Sequence, residues 1–439
     1  MQVIFHIDVN SAFLSWTACA RKAAGETPDL RDIPSVIGGN EESRHGIVLA
    51  KSTPAKAYQI HTGETLFSAR RKCPNLVVVP PDHKLYVKRS SQLIRMLHTY
   101  TPKVQQYSID EAWMDMSGIE EAERDPVGFA HRLKDRISRE LGFTVNIGIS
   151  SNHLLAKMAS ELKKPDMVHT LFPEEMERKM WPLPVEELFF VGHSSARRLR
   201  TLGIHTIGEL ARMDPAILSL HLKKHGEDIW NYANGRELDA SVFEETKTKG
   251  YGNAMTVARD IVEYETAAQV LLSLCETVGA RLRQDEVKVS VVGVQLKDHQ
   301  FTGRSRQNML RYPTNSTNIL YEEACRLFRE VWDGTPLRLI GVFTSKAARE
   351  EYEQLDLFQT AKSEKQGKLD AAIDQIRRKY GDASIKRACF LESGVRHMAG
   401  GLNREKQRLA GQERRASEAE DETGGTGHGA VYTDKETEI

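Results

Sequence analysis

Apolar and polar positions in the first part of the chain follow a pattern that predicts strands alternating with helices. Residues 3–9, VIFHIDV, are mostly apolar and reach an acid at Asp8, which is typical of a buried strand. Residues 11–24 then show helical spacing. Strand and helix patterns continue to alternate as far as Lys164, where Pro165 ends the last helix. This order predicts a mixed α/β first domain.

The later part of the chain changes character twice. Residues 170–235 show only helical patterns joined by short turns. A linker rich in Lys and Thr follows. Residues 250–345 then show the order strand, helix, strand, strand, helix, strand, which is typical of a split βαββαβ sandwich. From residue 394 to residue 439 the chain has few apolar residues and is rich in Gly, Glu, Arg and Thr, so we expect a disordered tail.

Length and composition fit a soluble protein of several domains. The chain has 439 residues, 40% of them hydrophobic and 28% charged, and no apolar run approaches the length of a membrane span. The N-terminus lacks the basic region of a signal peptide. The five cysteines are far apart, which argues against a zinc site and against a disulfide framework. We therefore expect a cytoplasmic, monomeric protein that does not bind a membrane.

Positive charge is concentrated in the middle of the chain, although the net charge is zero. Residues 188–226 hold six basic and two acidic residues, and residues 246–349 hold 15 basic and 11 acidic ones. Residues 400–439 are acidic instead, with six basic and nine acidic residues. This distribution favours binding of a polyanion by the middle regions. An ordinary solvated surface would account for the charges equally well.

Three acidic residues lie where predicted strands end or bend. Asp8 closes the first strand, and the adjacent Asp110 and Glu111 lie between two short strands within residues 103–117. A lone acid at a strand end is usually only a turn residue. Neighbouring carboxylates repel each other, however, unless a divalent cation lies between them. Together the three acids form a hard oxygen ligand set that suits Mg²⁺, and two such ions can activate a hydroxyl and stabilise a leaving pyrophosphate.

Several segments that contain these acids, spread in order over about residues 3–390, resemble the Y-family DNA polymerases, in particular their DinB (DNA polymerase IV) branch. One segment alone is weak, but all of them in the same order are a specific signal. The matching segments are His6 to Asn10 with Phe13, Tyr107 to Ala112, Gly148 to Ser150 leading to Lys157, Lys249 to Asn253, and Leu337 to Val342.

The resemblance implies a right-hand polymerase fold with a palm, fingers, a helical thumb and a βαββαβ little finger. The implied boundaries are residues 1–10 and 76–168 for the palm, 11–75 for the fingers, 169–240 for a thumb with a helix-hairpin-helix, 241–249 for a linker, 250–350 for the little finger, and 351–393 for a C-terminal segment that carries a clamp-binding motif.

The resemblance also assigns roles around the three acids. Asp8, Asp110 and Glu111 correspond to the catalytic metal ligands, and the backbone carbonyl of Val9 corresponds to a fourth oxygen ligand. Phe13 corresponds to the steric gate, an aromatic ring that collides with a ribose 2′-OH. Packing of the first helix would also explain Phe13, and the two interpretations are compatible.

Residues at the nucleotide pocket match the family less closely. Lys157 and Lys56 fall at positions that contact the incoming triphosphate, although arginine is usual at the second. Thr53 stands where the family usually has a tyrosine. A threonine hydroxyl can still donate to a phosphate, whereas a lysine replaces the bidentate arginine fork by a point charge. Asn10 and Ala12 depart from a usual aspartate and a usual aromatic residue.

These departures leave alternative functions open. A non-catalytic paralogue that binds DNA and the sliding clamp would tolerate an altered nucleotide pocket, although the intact acids argue against it. A palm-domain nucleotidyl cyclase or another small-molecule transferase would need no template, and the predicted DNA-binding modules argue against that function.

Two basic modules are candidates for DNA binding. Residues 191–212 predict a helix, a tight turn and a second helix, and they resemble a helix-hairpin-helix that binds phosphates through backbone amides. A generic helical hairpin is the alternative. In the little finger we expect arginines of one strand to contact template phosphates. The candidate DNA-binding residues are Gly192, Arg197, Arg198 and Gly203 in the thumb, and Arg304 and Arg306 in the little finger.

The segment after the last predicted strand resembles the bacterial clamp-binding pentapeptide. Gln354, Leu355, Leu357 and Phe358 would dock an extended peptide into an apolar groove, although a buried strand end would show a similar pattern. The whole sequence thus predicts a low-fidelity translesion polymerase. It would add dNTPs to the 3′-OH of primer–template DNA with two Mg²⁺ ions, and it would bind the replication sliding clamp.

Overall fold

A computed structural model describes residues 2–39, 46–237, 248–349 and 360–391, with residues 394, 395, 397 and 398. The chain divides into two compact units. The first comprises Met1–Glu41 and Gly46–Thr246, and the second contains the chain from Lys247 onward. In the described part, no helix is both long and apolar enough to cross a membrane.

The first unit contains two sheets, made from eight strands numbered along the chain. They are β1 (Ile4–Val9), β2 (Ser35–Gly38), β3 (Val48–Lys51), β4 (Val77–Val79), β5 (Val104–Gln106), β6 (Glu111–Asp115), β7 (Val145–Ser150) and β8 (Val168–Thr170). The larger sheet has the order β5-β6-β1-β7-β8, and the smaller has the order β3-β2-β4.

Strand β1 is the centre of the larger sheet, and all six of its residues are buried. It pairs antiparallel with β6 on one side and with β7 on the other. Because a strand buried on both faces carries a continuous apolar run, the sequence VIFHIDV was readable as this strand. Asp8, next to the last residue of this run, therefore lies near the end of the central strand of the sheet.

Twelve helices accompany these sheets in the described part of the first unit. They are α1 (Ala12–Ala23), α2 (Thr53–Ala57), α3 (Leu66–Lys72), α4 (His83–His98), α5 (Glu120–Arg124), α6 (Pro126–Leu141), α7 (His153–Glu161), α8 (Met176–Lys179), α9 (His193–Thr201), α10 (Ile207–Arg212), α11 (Pro215–Leu222) and α12 (Lys224–Ala233).

Helix α7 lies directly on β7, and this contact requires a glycine. A Cβ atom on Gly148 would come within 2.0 Å of the Ala156 carbonyl oxygen and 2.4 Å of the Ser160 nitrogen. Asn152 caps the start of the helix, since its side chain accepts a hydrogen bond from the Leu155 amide at 2.8 Å. The close approach holds α7 against the strand next to β1.

Strand β4 belongs to the smaller sheet, where it pairs in parallel with β2. The predicted domain boundaries, including the start of the second palm segment at residue 76, stay predictions. The sequence LVVV shows an apolar strand but carries no information about which neighbour it pairs with.

The helical region from α8 to α12 contains the predicted hairpin between α9 and α10. Gly203 lies at the turn with a φ of +79°, a conformation that favours glycine. The predicted capping box is present: Thr206 accepts from the Glu209 amide, and the Glu209 carboxylate accepts from the Thr206 amide.

The second unit has the predicted βαββαβ order. Its elements are β9 (Gly252–Ile261), α13 (Tyr264–Gln284), β10 (Lys288–Asp298), β11 (Gly303–Thr314), α14 (Thr317–Val331) and β12 (Leu337–Ala348). The strands form one antiparallel sheet in the order β11-β10-β12-β9, and the apolar faces of α13 and α14 complete its core.

A long helix after this sheet was not predicted. Helix α15 (Thr360–Tyr380) buries charged residues, among them Asp370, Asp374 and Arg377. Arg377 forms an ion pair with Glu276 of α13. Binary patterning predicts a helix from a buried apolar face, so a helix that buries its charges escapes it. Val395, which lies within the predicted tail, packs against the core of this unit.

Candidate active site

Two of the three predicted acids face each other across neighbouring strands. Asp8 and Glu111 are paired in the register of β1 and β6. The third acid is close by, since the Val9 amide donates a hydrogen bond to the Asp110 backbone carbonyl at 3.1 Å. Antiparallel pairing thus brings Asp8 and Glu111, 103 positions apart in sequence, to one end of the larger sheet.

The carboxylate cluster contains a residue that the sequence analysis missed. Ligand oxygens of Asp8, Glu111 and Glu161 all lie within 4.8 Å of one another. The Asp110 carboxylate instead accepts a hydrogen bond from the Ser108 hydroxyl at 2.7 Å. Glu161 lies four residues after Lys157 on α7, a spacing that puts both side chains on one face of the helix and could have signalled it.

Two lysines neutralise this cluster. The Nζ atom of Lys157 lies 2.6 Å from Oε2 of Glu111. The Nζ atom of Lys164 lies 2.9 Å from Oδ1 of Asp8 and 2.8 Å from Oε1 of Glu161. Lys157 was predicted as a site residue, whereas Lys164 was not.

Burial raises the pKa of Asp8 and of Glu111, and the lysines lower both. The balance differs between the two acids. Burial raises the pKa of Asp8 to about 7, and Lys164 offsets only part of that effect. Burial acts on Glu111 in the same sense, but the nearby His6 ring and the hydrogen bond from Lys157 outweigh it and lower the pKa of Glu111 to about 2. Glu111 is therefore held ionised, whereas burial leaves Asp8 a weaker acid than an exposed aspartate.

His6 lies beneath Glu111 in the fully buried part of β1. Its Nδ1 is 2.8 Å from the Ser160 hydroxyl oxygen, and its Nε2 is 3.6 Å from Oε2 of Glu111. Burial lowers the pKa of His6 to about 4, so the imidazole is neutral near pH 7.

A cleft of about 190 Å³ opens beside Asp8. Two predicted substrate residues, Thr53 and Lys56, line it from helix α2, and both are exposed. Lys164 also lines the cleft, while Lys157 is enclosed by the rings of two aromatic residues. The cleft is lined by Asp8, Asn10, Ser11, Leu14, Ser15, Arg31, Ser52, Thr53, Lys56, Thr144, Lys164 and Pro165.

Arg31 is a further cleft residue that the sequence analysis did not single out. Its guanidinium pairs with both carboxylate oxygens of Asp29, at 3.0 and 2.7 Å, and donates to the Gly142 carbonyl at 2.8 Å. Such a fork is oriented before any ligand arrives.

The predicted steric gate, Phe13, lies on α1 and packs against α4. The Phe13 ring stacks on Tyr86 with a centroid separation of 4.4 Å and an interplanar angle of 5°. Phe13 is only partly buried, so packing leaves part of its ring exposed. It is not among the described residues that line the cleft beside Asp8.

The donor set of the site fits a hard divalent cation. Every candidate ligand is an oxygen: the carboxylates of Asp8, Asp110, Glu111 and Glu161, and the backbone carbonyl of Val9 at the end of β1. Oxygen-only sets favour magnesium or calcium over zinc, which prefers nitrogen and sulfur.

The predicted DNA-binding residues lie at two exposed places. Arg197 and Arg198 are exposed on α9, whose N-cap is Gly192, and Gly203 is exposed at the hairpin turn. In the second unit the first seven residues of β11 are exposed. There Arg304 pairs with Asp333 at 2.5 Å, and Arg306 lies 3.4 Å from Glu330. The predicted clamp residues Gln354, Leu355, Leu357 and Phe358 lie outside the described residues.

Two family models match this sequence, and each matched region falls mainly within one of the two structural units. A sequence model described as the impB/mucB/samB family matches residues 7–161, and the model of that family's C-terminal domain matches residues 248–357.

Curated relatives match nearly the whole chain. DNA polymerase IV of Clostridium acetobutylicum is 46% identical over 396 residues, which are 89% of this chain and 98% of that protein. DNA polymerase IV of Acetivibrio thermocellus is 35% identical over 92% of this chain and 99% of its own length. DNA polymerase IV 2 of Bacillus subtilis is 36% identical over 89% and 95%, respectively.

A solved structure has the same fold. A Y-family DNA polymerase chimera superimposes with a TM-score of 0.66 at 18% identity, over 79% of this chain and 100% of the chimera. The right-hand α/β fold predicted from the sequence is thereby confirmed. On the family matches and the extent of these similarities, the chain belongs to the Y family of DNA polymerases, in the DNA polymerase IV (DinB) branch.

Proposed function

We propose that this chain extends a DNA primer on a template by two-metal catalysis, with low fidelity and with tolerance of damaged template bases. As a member of its family the chain is a DNA-directed DNA polymerase. One observation carries the proposal for the site. Asp8, which lines the cleft together with Thr53 and Lys56, is in register with Glu111 on the adjacent strand.

In the proposed reaction the primer 3′-oxygen attacks the α-phosphorus of a dNTP. The bond from that phosphorus to the β-phosphate oxygen breaks, and pyrophosphate leaves. Asp8, Asp110, Glu111 and the Val9 carbonyl would hold two Mg²⁺ ions, whose charge favours deprotonation of the primer hydroxyl and departure of pyrophosphate. Charges that are already in place in a partly buried site need little reorganisation during the reaction. They can therefore stabilise the transition state strongly.

The fingers residues would bind the triphosphate. Helix α2 is anchored because the Ser52 hydroxyl accepts from the Ala55 amide and donates to the Ile33 carbonyl. The Thr53 hydroxyl is then available to donate to a phosphate, and Lys56 offers a point charge. By resemblance Lys157 contributes a further ammonium, and Phe13 excludes a ribose 2′-OH.

The DNA would be bound through its backbone. Arg197 and Arg198, exposed on α9, suit a phosphate, and the exposed arginines of β11 suit a second stretch of backbone. Phosphate contacts position a duplex without reading its sequence, as a polymerase requires. We also propose that Gln354, Leu355, Leu357 and Phe358 bind the sliding clamp, and that the chain acts as a monomer on chromosomal DNA in the cytoplasm.

Primer extension on two templates tests this function. One template carries an abasic site and the other is undamaged, with all other bases identical. We expect template-dependent extension on both, with the primer continuing past the abasic site. Extension that ignores the template base on the undamaged strand would reject the polymerase assignment, while a complete stop one base before the lesion would reject the translesion part alone.

No observation favours the non-catalytic alternative. Asp8 and Glu111, which a purely binding paralogue can lose, are present and paired in register.

A further inference from the structure

Helix α15 turns its charged side toward the protein and an apolar side toward solvent. The buried charges are Asp370, Asp374 and Arg377, which are 3–4% exposed. The exposed apolar residues are Leu369, Ile376 and Tyr380, at 52%, 38% and 67% exposure. Their spacing places these three side chains on one face of the helix. A surface helix normally has the opposite arrangement, with its apolar side toward the core.

Ion pairs with α13 determine which side of α15 faces outward. Arg283 of α13 lies 3.6 Å from Asp370 and 2.7 Å from Asp374. Glu276, also on α13, lies 3.4 Å from Arg377. If the helix turned to bury its apolar side, Arg283 would lose both carboxylates, and an uncompensated shielded charge is strongly destabilising. The apolar side is therefore held in solvent by the buried charges behind it.

The exposed charges of α15 are all positive within residues 365–380, where side chains are described. They belong to Lys365, Lys368, Arg378 and Lys379. The two acids of this stretch are the buried ones. These four basic residues and the exposed apolar residues Leu369, Ile376 and Tyr380 form what we call the outer face of α15. Such a face favours a partner that combines negative charge with apolar side chains.

The end of the described chain lies beside this helix. The Nδ1 atom of His397 is 2.8 Å from Oε2 of Glu276, and Arg377 of α15 approaches Oε1 of the same carboxylate. Val395 packs against the core of the second unit. Residues 399–439 follow. Because an extended chain advances about 3.3 Å per residue, even the distal part of this segment can reach α15.

The distal part of that segment has the chemistry that the outer face of α15 favours. Residues 416–439 contain seven acidic residues and one basic residue. Four of the acids, Glu418, Glu420, Asp421 and Glu422, are clustered, and Val431, Tyr432 and Ile439 are apolar. A flexible connection gives two parts of one chain an effective concentration of about millimolar, so individually weak ion pairs are sufficient for docking.

We propose that residues 416–439, the acidic segment, dock on the outer face of α15 in the same chain. Carboxylates of the segment pair with the four basic residues, and its apolar side chains cover Leu369, Ile376 and Tyr380. Duplex DNA matches the charge of this face but offers no aliphatic side chains to the apolar residues. The docked segment shields these positive charges from DNA. The inference concerns a surface outside the candidate active site and does not depend on the proposed function.

Photocrosslinking in the full chain tests the inference. The photoreactive residue p-benzoylphenylalanine replaces Tyr380, and mass spectrometry locates the residues to which it links. We expect most links to fall within residues 416–439 of the same chain, with a yield that does not depend on protein concentration. The same probe in place of Phe301, which is 62% exposed at the turn between β10 and β11, is the matched control and should not link to the acidic segment.

Salt and charge reversal show whether ion pairs hold the segment. Raising the ionic strength from about 0.1 M to about 1 M shortens the screening length from about 10 Å to about 3 Å, and the yield should fall by about threefold or more. Lys365→Glu combined with Lys368→Glu should lower the yield by a similar factor. Glu418→Lys combined with Glu420→Lys should restore it in that background, which an unrelated structural effect of the helix variants would not produce.

Three results would overturn the inference. Links between two chains, with a yield that rises with protein concentration, would assign the outer face of α15 to a second copy. Links that form only with added duplex DNA would assign it to DNA. A yield at residues 416–439 that is no higher from position 380 than from position 301 would show that the acidic segment does not dock there. The proposed polymerase activity would stand in all three cases.

Discussion

The ammonium of Lys157 lies 2.6 Å from Oε2 of Glu111, and both side chains are largely shielded from solvent. The pair joins helix α7 to strand β6, so the helix contributes charge directly to the carboxylate end of the sheet. Glu111 is thereby held ionised in a place where burial alone would favour its neutral form.

Removal of one partner should be more harmful to stability than removal of both. Lys157→Met leaves a shielded carboxylate uncompensated, which we expect to lower the free energy of unfolding by about 3 kcal/mol. The double variant Lys157→Met with Glu111→Gln should regain much of that loss. Urea unfolding in EDTA measures both. Equal losses of stability for the single and double variants would show that the broken ion pair does not cause the loss.

Sugar selection should depend on the ring of Phe13. Phe13→Ala removes the ring that stacks on Tyr86, and we expect the ratio of kcat/KM for ribonucleotides to that for deoxynucleotides to rise by about tenfold or more. Tyr86→Phe preserves the stack and serves as the control. Single-nucleotide incorporation measures the ratio, and unchanged selectivity in Phe13→Ala would locate the gate elsewhere.

Clamp binding should depend on the pentapeptide at residues 354–358. Leu357→Ala combined with Phe358→Ala removes the two side chains that would enter an apolar groove. We expect the affinity for a purified bacterial sliding clamp, measured by surface plasmon resonance, to fall by about a hundredfold. A version with the five residues in scrambled order should lose binding as well. Retained affinity in both would assign clamp recognition to another segment.

Acid should destabilise the second unit through Glu276. Burial by itself would raise the pKa of Glu276, but His397, Arg377 and Arg387 outweigh it and lower the pKa below the usual 4.5. A lowered folded-state pKa contributes stability that is complete above the unfolded value and is lost as the pH falls through 4.5 and below. Wild type should therefore lose more stability than Glu276→Gln between about pH 5 and about pH 3. Urea midpoints across that range test this, and parallel curves would contradict it.

Much of the fold was predictable because its strands and helices bury apolar faces. The run VIFHIDV became β1, and the βαββαβ order of residues 250–345 was found as predicted. Local capping chemistry at Asn152 and at Thr206 was predictable for the same reason, since it depends on a few adjacent residues.

The rest depends on partners that sequence spacing does not reveal. Glu161 and Lys164 join the site because Gly148 lets α7 approach β7 and because Asn10 pins a distant turn. Helix α15 was missed since its buried face is charged, and each of those charges is compensated by a residue far away in sequence, such as Glu276 for Arg377. Charges of this kind look like solvated surface until the partner is known.

Metal-dependent primer extension by wild type and by Asp110→Ala, measured side by side, tests directly whether these acids form the metal site for DNA synthesis. Asp135→Ala, a change of an exposed acid on α6, is the matched control. We expect Mg²⁺-dependent extension by the wild type and the control, and a loss of at least about a hundredfold in Asp110→Ala with unchanged affinity for primer–template. Extension by Asp110→Ala at the wild-type rate, or no extension by a wild type that binds the DNA, would contradict the account.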